Sequence, residues 1–145
     1  MVMLLKDKII EEWKEAYKNK NENLKSAFAM VKAKILIEEK SGKHELPLSD
    51  EIVISLVNKE VKELKETQTF YKPEDQMYQD INEKIEALSV YLPKQLTEEE
   101  VKVIITKLKE TENNIGKLFG LTVKEVGNRF DKSQISKLVK EVING

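Results

Sequence analysis

Six basic side chains near the C-terminal end are the residues whose types and spacing best suit a chemical role. They are Lys117, Lys124, Arg129, Lys132, Lys137 and Lys140, and the stretch that they span holds two acidic residues. In a helix over the last residues, Lys132, Ser136 and Lys140 lie one turn apart along one face. Such a face can neutralise phosphates without reading a base sequence. These six residues are therefore the predicted nucleic-acid-binding site.

The alternative for this basic region is an ordinary solvated helix surface. Glu125 precedes Arg129 by four residues, the order in which an ion pair stabilises a helix by about 0.2–0.5 kcal/mol. The charge distribution separates the two interpretations only weakly. The net charge is −1, with 15 basic and 18 acidic residues in 1–92 and 10 basic and 8 acidic residues in 93–145. Both interpretations stay open at this point.

Nothing in the sequence predicts catalysis. The chain has no cysteine and one histidine, His44, so thiol chemistry and cysteine zinc sites are excluded and the seven serines lack a triad. No glycine pattern matches a phosphate-binding loop. The carboxylates lie at helical spacing from lysines, as on a surface helix. We predict a protein that is not an enzyme and that binds no cofactor and no metal ion, with His44 in a solvated loop.

The length of 145 residues suits one compact domain or two small subdomains. No apolar stretch reaches the roughly 20 residues of a membrane span, and charged residues occur too early at the N-terminus for a signal peptide. We therefore predict no membrane association and a cytoplasmic location.

Stripes of apolar residues at helical spacing predict four helices in residues 1–92. The first runs to about Lys18 and the second to Lys40. Ser49 is the predicted N-cap of the third, and two carboxylates follow it in the first turn. The fourth starts at residues 72–75 and ends at Tyr91.

A hinge is predicted at Tyr91, Leu92 and Pro93. Pro93 cannot donate a helical hydrogen bond and pushes Leu92 out of the helical region, so the fourth helix stops there. Thr97 and Glu100 then form a capping box that starts the next helix. The hinge divides the chain into an N-terminal helical subdomain, residues 1–92, and a C-terminal helical subdomain, residues 93–145.

The C-terminal part is predicted to hold three helices. The first covers residues 97–111, and a short apolar piece between Gly116 and Gly120 follows it. Thr122 with Glu125 predicts a second capping box, and Asp131 predicts the N-cap of the last helix. No strand alternation occurs. The predicted fold class is all-α, an N-terminal antiparallel helical bundle plus a compact C-terminal three-helix subdomain.

The chain resembles the GatB/YqeY family, which comprises small YqeY proteins and the tail of the B subunit of glutamine-dependent tRNA amidotransferases. The resemblance is carried by Y-L-P-x-Q-L at 91–96, G-K-x-x-G at 116–120, R-x-D at 129–131 and I-S-x-x-V at 135–139. The similarity extends along the whole chain, and Lys62 lies at a position where the family has a lysine. Ala29 and Leu64 stand where the family commonly has arginines.

The resemblance implies a tRNA-contacting helical module without an active site of its own. The first hypothesis is thus a non-enzymatic protein that binds tRNA or another structured RNA through its C-terminal subdomain. The second is a protein–protein adaptor, or a dimerising helical protein, whose N-terminal bundle docks a protein partner. The overall acidity and the two missing arginines favour the second hypothesis, and the basic C-terminal third favours the first.

Overall fold

Seven α-helices account for most of residues 3–145, the part of the chain that this computed structural model describes. They are α1 Leu5–Lys18, α2 Glu22–Lys40, α3 Asp50–Gln68, α4 Gln76–Ser89, α5 Glu98–Lys109, α6 Ile115–Val126 and α7 Lys132–Asn144, with a 3-10 turn at Gly127–Arg129 between α6 and α7. No strand occurs in residues 3–145. The all-α prediction is confirmed.

Side-chain caps fix where these helices begin. The Ser49 hydroxyl accepts from the Ile52 N–H at the start of α3, as predicted. At α5 both halves of the predicted capping box form, since Thr97 accepts from the Glu100 N–H and Glu100 accepts from the Thr97 N–H. Each bond satisfies an N–H that has no partner within the helix.

Helices α1 to α4 form the first of two units into which backbone contacts divide the chain, Met1–Leu92 and Pro93–Gly145. The ion pair of Lys6 with Glu39 joins the start of α1 to the end of α2, and Lys25 lies over the Tyr17 ring near the other ends. Because these contacts run in opposite order along the two helices, α1 and α2 are antiparallel. The buried core of this unit comprises Leu5, Ile9, Ala27, Phe28, Val31, Ile35, Leu48, Val53, Val57, Val61, Ile81, Ile85 and Leu88.

Helices α5, α6 and α7 form the second unit, and each packs against the other two. Its buried core comprises Val101, Ile105, Leu118, Val126, Ile135, Leu138 and Val139. This small core agrees with the predicted three-helix subdomain.

The prediction that a helix starts at Thr122 is wrong. Helix α6 begins earlier, at Ile115, where Asn114 accepts from the Lys117 N–H. Thr122 is fully buried inside α6, and its hydroxyl donates to the Leu118 carbonyl at 2.8 Å. Gly116 and Gly120 therefore lie within the helix instead of flanking it. The helix ends at Val126, and the next residue, Gly127, has a φ of 57°, a conformation that favours glycine.

The hinge residues Tyr91 and Leu92 pack against the core of the first unit. The Tyr91 ring meets Phe28 edge-on at 6.3 Å between centroids. Burial raises the pKa of the Tyr91 hydroxyl, and the nearby Glu12 carboxylate, which is also hydrogen-bonded to it, adds to the rise. The partner that a half-buried phenol requires is thus supplied within the same unit.

Candidate nucleic-acid interface

Five of the six predicted basic residues are exposed lysines on α6 and α7: Lys117, Lys124, Lys132, Lys137 and Lys140. None of these five takes part in the ion pairs within 4.0 Å that the described residues form. Their charges are therefore not neutralised by carboxylates of the fold and remain open to an anionic ligand.

On α6, Lys117 and Lys124 lie two turns apart along the solvent side. Leu118, Thr122 and Val126 form the buried side of this helix. At 100° per residue, both lysines fall nearly opposite the buried stripe. At a rise of 1.5 Å per residue their Cα atoms are separated by about 10 Å.

On α7, the buried residues are Ile135, Leu138 and Val139. Lys137 and Lys140 lie one turn apart on the opposite, exposed side. Lys132 is exposed in the first turn, just after the N-cap Asp131. The last helix thus has one apolar side in the core and a lysine-bearing side in solvent.

Arg129, the sixth predicted residue, does not form the expected arrangement with the Glu125 side chain. Its Nε donates to the Val126 carbonyl at 3.2 Å, and a terminal nitrogen donates to the Glu125 carbonyl at 2.7 Å. These are carbonyls at the C-terminal end of α6, which lack partners within the helix. The guanidinium of Arg129 thus caps α6, and these two bonds use part of the hydrogen-bonding capacity of the guanidinium.

The backbone of Arg129 also holds the segment that follows the hinge. Its carbonyl accepts from the Leu96 N–H at 2.7 Å, and the Gln95 side chain donates to the Asn128 carbonyl at 3.1 Å. Both contacts lie within the second unit. They fix the entry to α5 against the turn between α6 and α7.

Acidic residues on α6 and α7 are few and partly engaged. Glu141 pairs with Lys102 of α5 at 3.2 Å, and this hydrogen bond and charge raise the pKa of Lys102. The Asp131 carboxylate accepts from the N–H of Ser133. Pairing of Glu141 with α5 reduces the negative field beside the exposed lysines of α7.

A buried ionic cluster in the first unit is the functional-group arrangement that the sequence did not assign. Glu60 is 4% exposed, and its Oε1 lies 3.5 Å from the Lys34 ammonium and accepts no hydrogen bond. Lys34 also meets Glu63 at 3.1 Å. Burial raises the pKa of Glu60, and the Lys34 charge opposes the rise without cancelling it. The prediction that the carboxylates lie as on a surface helix is wrong for Glu60, because its spacing from Val53 and Val57 places it on the buried side of α3.

No arrangement in residues 3–145 points to a metal or cofactor. No group of three or more His, Cys, Asp or Glu side chains that could hold a metal ion occurs there. His44, predicted to be solvated, is half-buried with Nε2 2.9 Å from a carboxylate oxygen of Glu38. A depression of about 330 Å³ along α5 is lined by charged and exposed side chains of that one helix, Lys102 and Glu110 among them. No helix of residues 3–145 is long and apolar enough to cross a membrane.

The fold and this surface define a class of small all-helical proteins with a lysine-bearing C-terminal unit. The family model for YqeY-like proteins matches residues 6–143, so the chain belongs to the YqeY family. This is the family of domains like the C-terminal tail of the amidotransferase B subunit, a non-catalytic helical domain. No curated protein matches the chain.

Proposed function

We propose that this protein binds tRNA, or another structured RNA, through the exposed lysines of α6 and α7 and performs no catalysis of its own. The observation that carries the proposal is that Lys117, Lys124, Lys132, Lys137 and Lys140 are exposed and unpaired in one small unit. Membership of the YqeY family supports a helical domain like the amidotransferase tail. That likeness is the ground for choosing tRNA among polyanions.

The physical basis is counterion release. Each phosphate contact contributes about −0.7 to −0.9 to the slope of log affinity against log salt concentration. Five lysines that all engage phosphates give a slope of about −3.5 to −4.5. Lysines act here as point charges, so we expect little discrimination between tRNA species.

The test is a titration of full-length protein into labelled bulk tRNA at several salt concentrations. The triple variant Lys132→Glu, Lys137→Glu, Lys140→Glu should weaken binding by more than about tenfold and reduce the slope by about one unit for each phosphate that is no longer neutralised. The matched control reverses Lys14, Lys18 and Lys20 on or just after α1. It changes the net charge equally and should leave both quantities nearly unchanged.

Two results would contradict the proposal. One is wild-type binding without salt dependence, or no binding. The other is an equal loss of affinity in the α7 triple variant and the α1 control, which would indicate a response to net charge instead of to a surface. A parallel assay with glutamine, ATP and misacylated tRNA should release no glutamate above background.

The adaptor hypothesis remains the second candidate because large apolar side chains are exposed in both units. Leu36 and Ile37 on α2 are 50% and 69% exposed, and Ile115 on α6 is 49% exposed. Exposed apolar residues of this size favour a protein partner when they lie together. A protein partner retained at high salt, with no RNA bound at low salt, would establish this candidate in place of the first.

A further inference from the structure

The outer side of α2 differs from that of an ordinary surface helix. Met30, Leu36 and Ile37 are 47%, 50% and 69% exposed, and Ala33 between them is also exposed. The inner side of the same helix is apolar too, with Phe28, Val31 and Ile35 in the core. A helix that is apolar on both sides is normally covered on both. No other helix of the first unit buries these four side chains.

The outer side follows the spacing of a coiled-coil seam. Its central line consists of Glu22, Ser26, Ala29, Ala33, Leu36 and Lys40, with alternating steps of four and three residues. This is the a/d spacing of a coiled coil, with apolar residues at the three positions Ala29, Ala33 and Leu36 and polar residues at the other three. Alanines at the centre permit close approach of the backbones, and Met30 and Ile37 widen the seam on one flank.

The seam is complementary to itself in the antiparallel direction. A two-fold axis through position 31 places Glu22 opposite Lys40 of a second copy, and Lys40 opposite its Glu22. It also places Ala29 opposite Ala33 and Ser26 opposite Leu36. A parallel pairing would instead oppose glutamate to glutamate and lysine to lysine at the two ends. Like charges in that position are unfavourable. For two copies of this helix, the charge pattern therefore favours the antiparallel orientation.

Both terminal charges are available for this contact. The Glu22 side chain is 80% exposed, and its own pairing with Lys25 is long, at 4.0 Å. Lys40 is exposed in the last turn. Neighbouring helices pack on the flanks of the seam, since α1 contacts one flank through Lys32 on Trp13 and α3 contacts the other through Lys34. From α4, the Lys84 ammonium donates to the Ser26 hydroxyl at 3.5 Å, so this one seam residue is already contacted within the first unit.

We propose that a second copy of this chain covers the outer side of α2, forming an antiparallel homodimer through α2. The seam is about 28 Å long for 19 residues. A single helix pair buries less than the roughly 800 Å² per partner of a standard interface. The dimer is therefore expected to be weak and to dissociate on dilution.

Sedimentation equilibrium of the full chain over a wide concentration range tests the proposal. The wild type should shift from monomer to dimer, and Ala33→Glu should abolish the shift because it places a charge at the centre of the seam. Glu22→Lys and Lys40→Glu should each raise the dissociation constant by about tenfold, since each creates two like-charge contacts. The double variant Glu22→Lys, Lys40→Glu should return it to within about threefold of wild type.

Control substitutions separate the seam from effects on the helix itself. Glu51→Lys and Lys65→Glu reverse charges in the first and last turns of α3, a helix of the same length, and should leave association unchanged. Melting curves of all variants verify folding. A wild type that stays monomeric throughout the range would overturn the proposal. So would a dimer that tolerates Ala33→Glu, or a double charge swap that fails to restore association.

Discussion

The two units use their charged side chains differently. In the N-terminal unit, lysines on one helix meet carboxylates on another, as Lys6 meets Glu39 and Lys34 meets Glu60. In the C-terminal unit, Lys102 meets Glu141, but the five lysines of α6 and α7 named above enter no such pair. A lysine paired between helices contributes to the fold and is costly to withdraw, whereas an unpaired exposed lysine is free to bind a ligand at little cost in stability.

This difference shows where function can be gained without loss of the fold. The cores of both units are made of aliphatic residues and one phenylalanine, so neither depends on the exposed lysines. Changing the surface charge of α7 can therefore alter RNA binding independently of folding. Changing Lys34 cannot, because its charge is required beside a buried carboxylate.

The largest expected effect tests that requirement directly. Replacing Lys34 with Met leaves the Glu60 carboxylate buried without its counter-charge, and we expect the first unit to lose about 3 kcal/mol of stability at neutral pH. Urea unfolding followed by fluorescence of Trp13, the single tryptophan, reports on this unit. The control is Lys59→Met, which removes an exposed lysine from α3 and should change stability little.

The pH dependence of this loss has a defined sign. The pKa of Glu60 is raised in the folded protein above its usual 4.5, so the folded state takes up a proton before the unfolded state does. The cost of burying the charge therefore falls as the pH falls through the folded pKa. Lys34→Met should recover stability relative to wild type on acidification. Equal stability of the Lys34 and Lys59 variants at neutral pH would refute the requirement for a counter-charge.

An intermediate effect is expected at Arg129, which belongs to both the predicted surface and the fold. Loss of two side-chain hydrogen bonds to carbonyls of α6 in Arg129→Ala should cost about 1–3 kcal/mol. Arg129→Lys keeps the charge but not the planar fork. We expect both variants to melt at lower temperature than wild type, and tRNA affinity to change by less than about threefold in either.

The pair of variants decides the role of this residue. If Arg129→Ala binds tRNA at least tenfold more weakly while its melting temperature is unchanged, the guanidinium is an RNA contact. If melting falls in both variants and affinity holds, its role is to cap α6. Thermal denaturation by circular dichroism and the tRNA titration provide the two measurements.

The sequence predicted what depends on local order. Ser49, the Thr97 box and Asp131 are caps as expected, since each bond spans two or three residues. Thr122 was assigned wrongly because T-x-x-E is also compatible with a helix interior, where burial decides. Gly116 and Gly120 suggested breaks in the helix, but Asn114 starts α6 before both of them. Each glycine costs the helix about 1 kcal/mol, and the burial of Leu118 and Val126 offsets this cost.

Features that join distant segments could not be predicted in this way. The spacing of Glu60 from Val53 and Val57 puts it on the buried side of α3, but its partner Lys34 lies on α2, and only packing brings them together. Arg129 capping α6 was not predicted for a different reason: its partners are only three and four residues away, but the Glu125 side chain offered an equally good local partner. The outward position of the α6 and α7 lysines follows from helical spacing. Their ligand does not, because recognition depends on a molecule outside the fold.

The smallest expected effect concerns the cap of α5. Thr97→Ala removes the hydroxyl that accepts from the Glu100 N–H and should cost about 1 kcal/mol locally. The Glu100 carboxylate is hydrogen-bonded to the Thr97 N–H and to the Thr97 hydroxyl, and these two bonds lower its pKa below the usual 4.5. The cap therefore contributes stability above that value and loses it as the pH falls through the folded pKa. Amide hydrogen exchange at Val101, whose N–H donates to the Thr97 carbonyl, measures the change.

This sign is opposite to that at Glu60, which makes the two units distinguishable by pH alone. On acidification, the protection of amides at the start of α5, relative to an unstructured amide at the same pH, should fall as Glu100 takes up a proton. Protonation of Glu60 instead removes a penalty from the N-terminal unit. Glu100→Gln should abolish the acid-dependent part at α5, and the control Glu98→Gln, also in the first turn but outside the capping box, should keep it. If the protection of the Val101 amide falls equally with acid in the two glutamine variants, the pH dependence comes from the general charge of the first turn and not from the capping box.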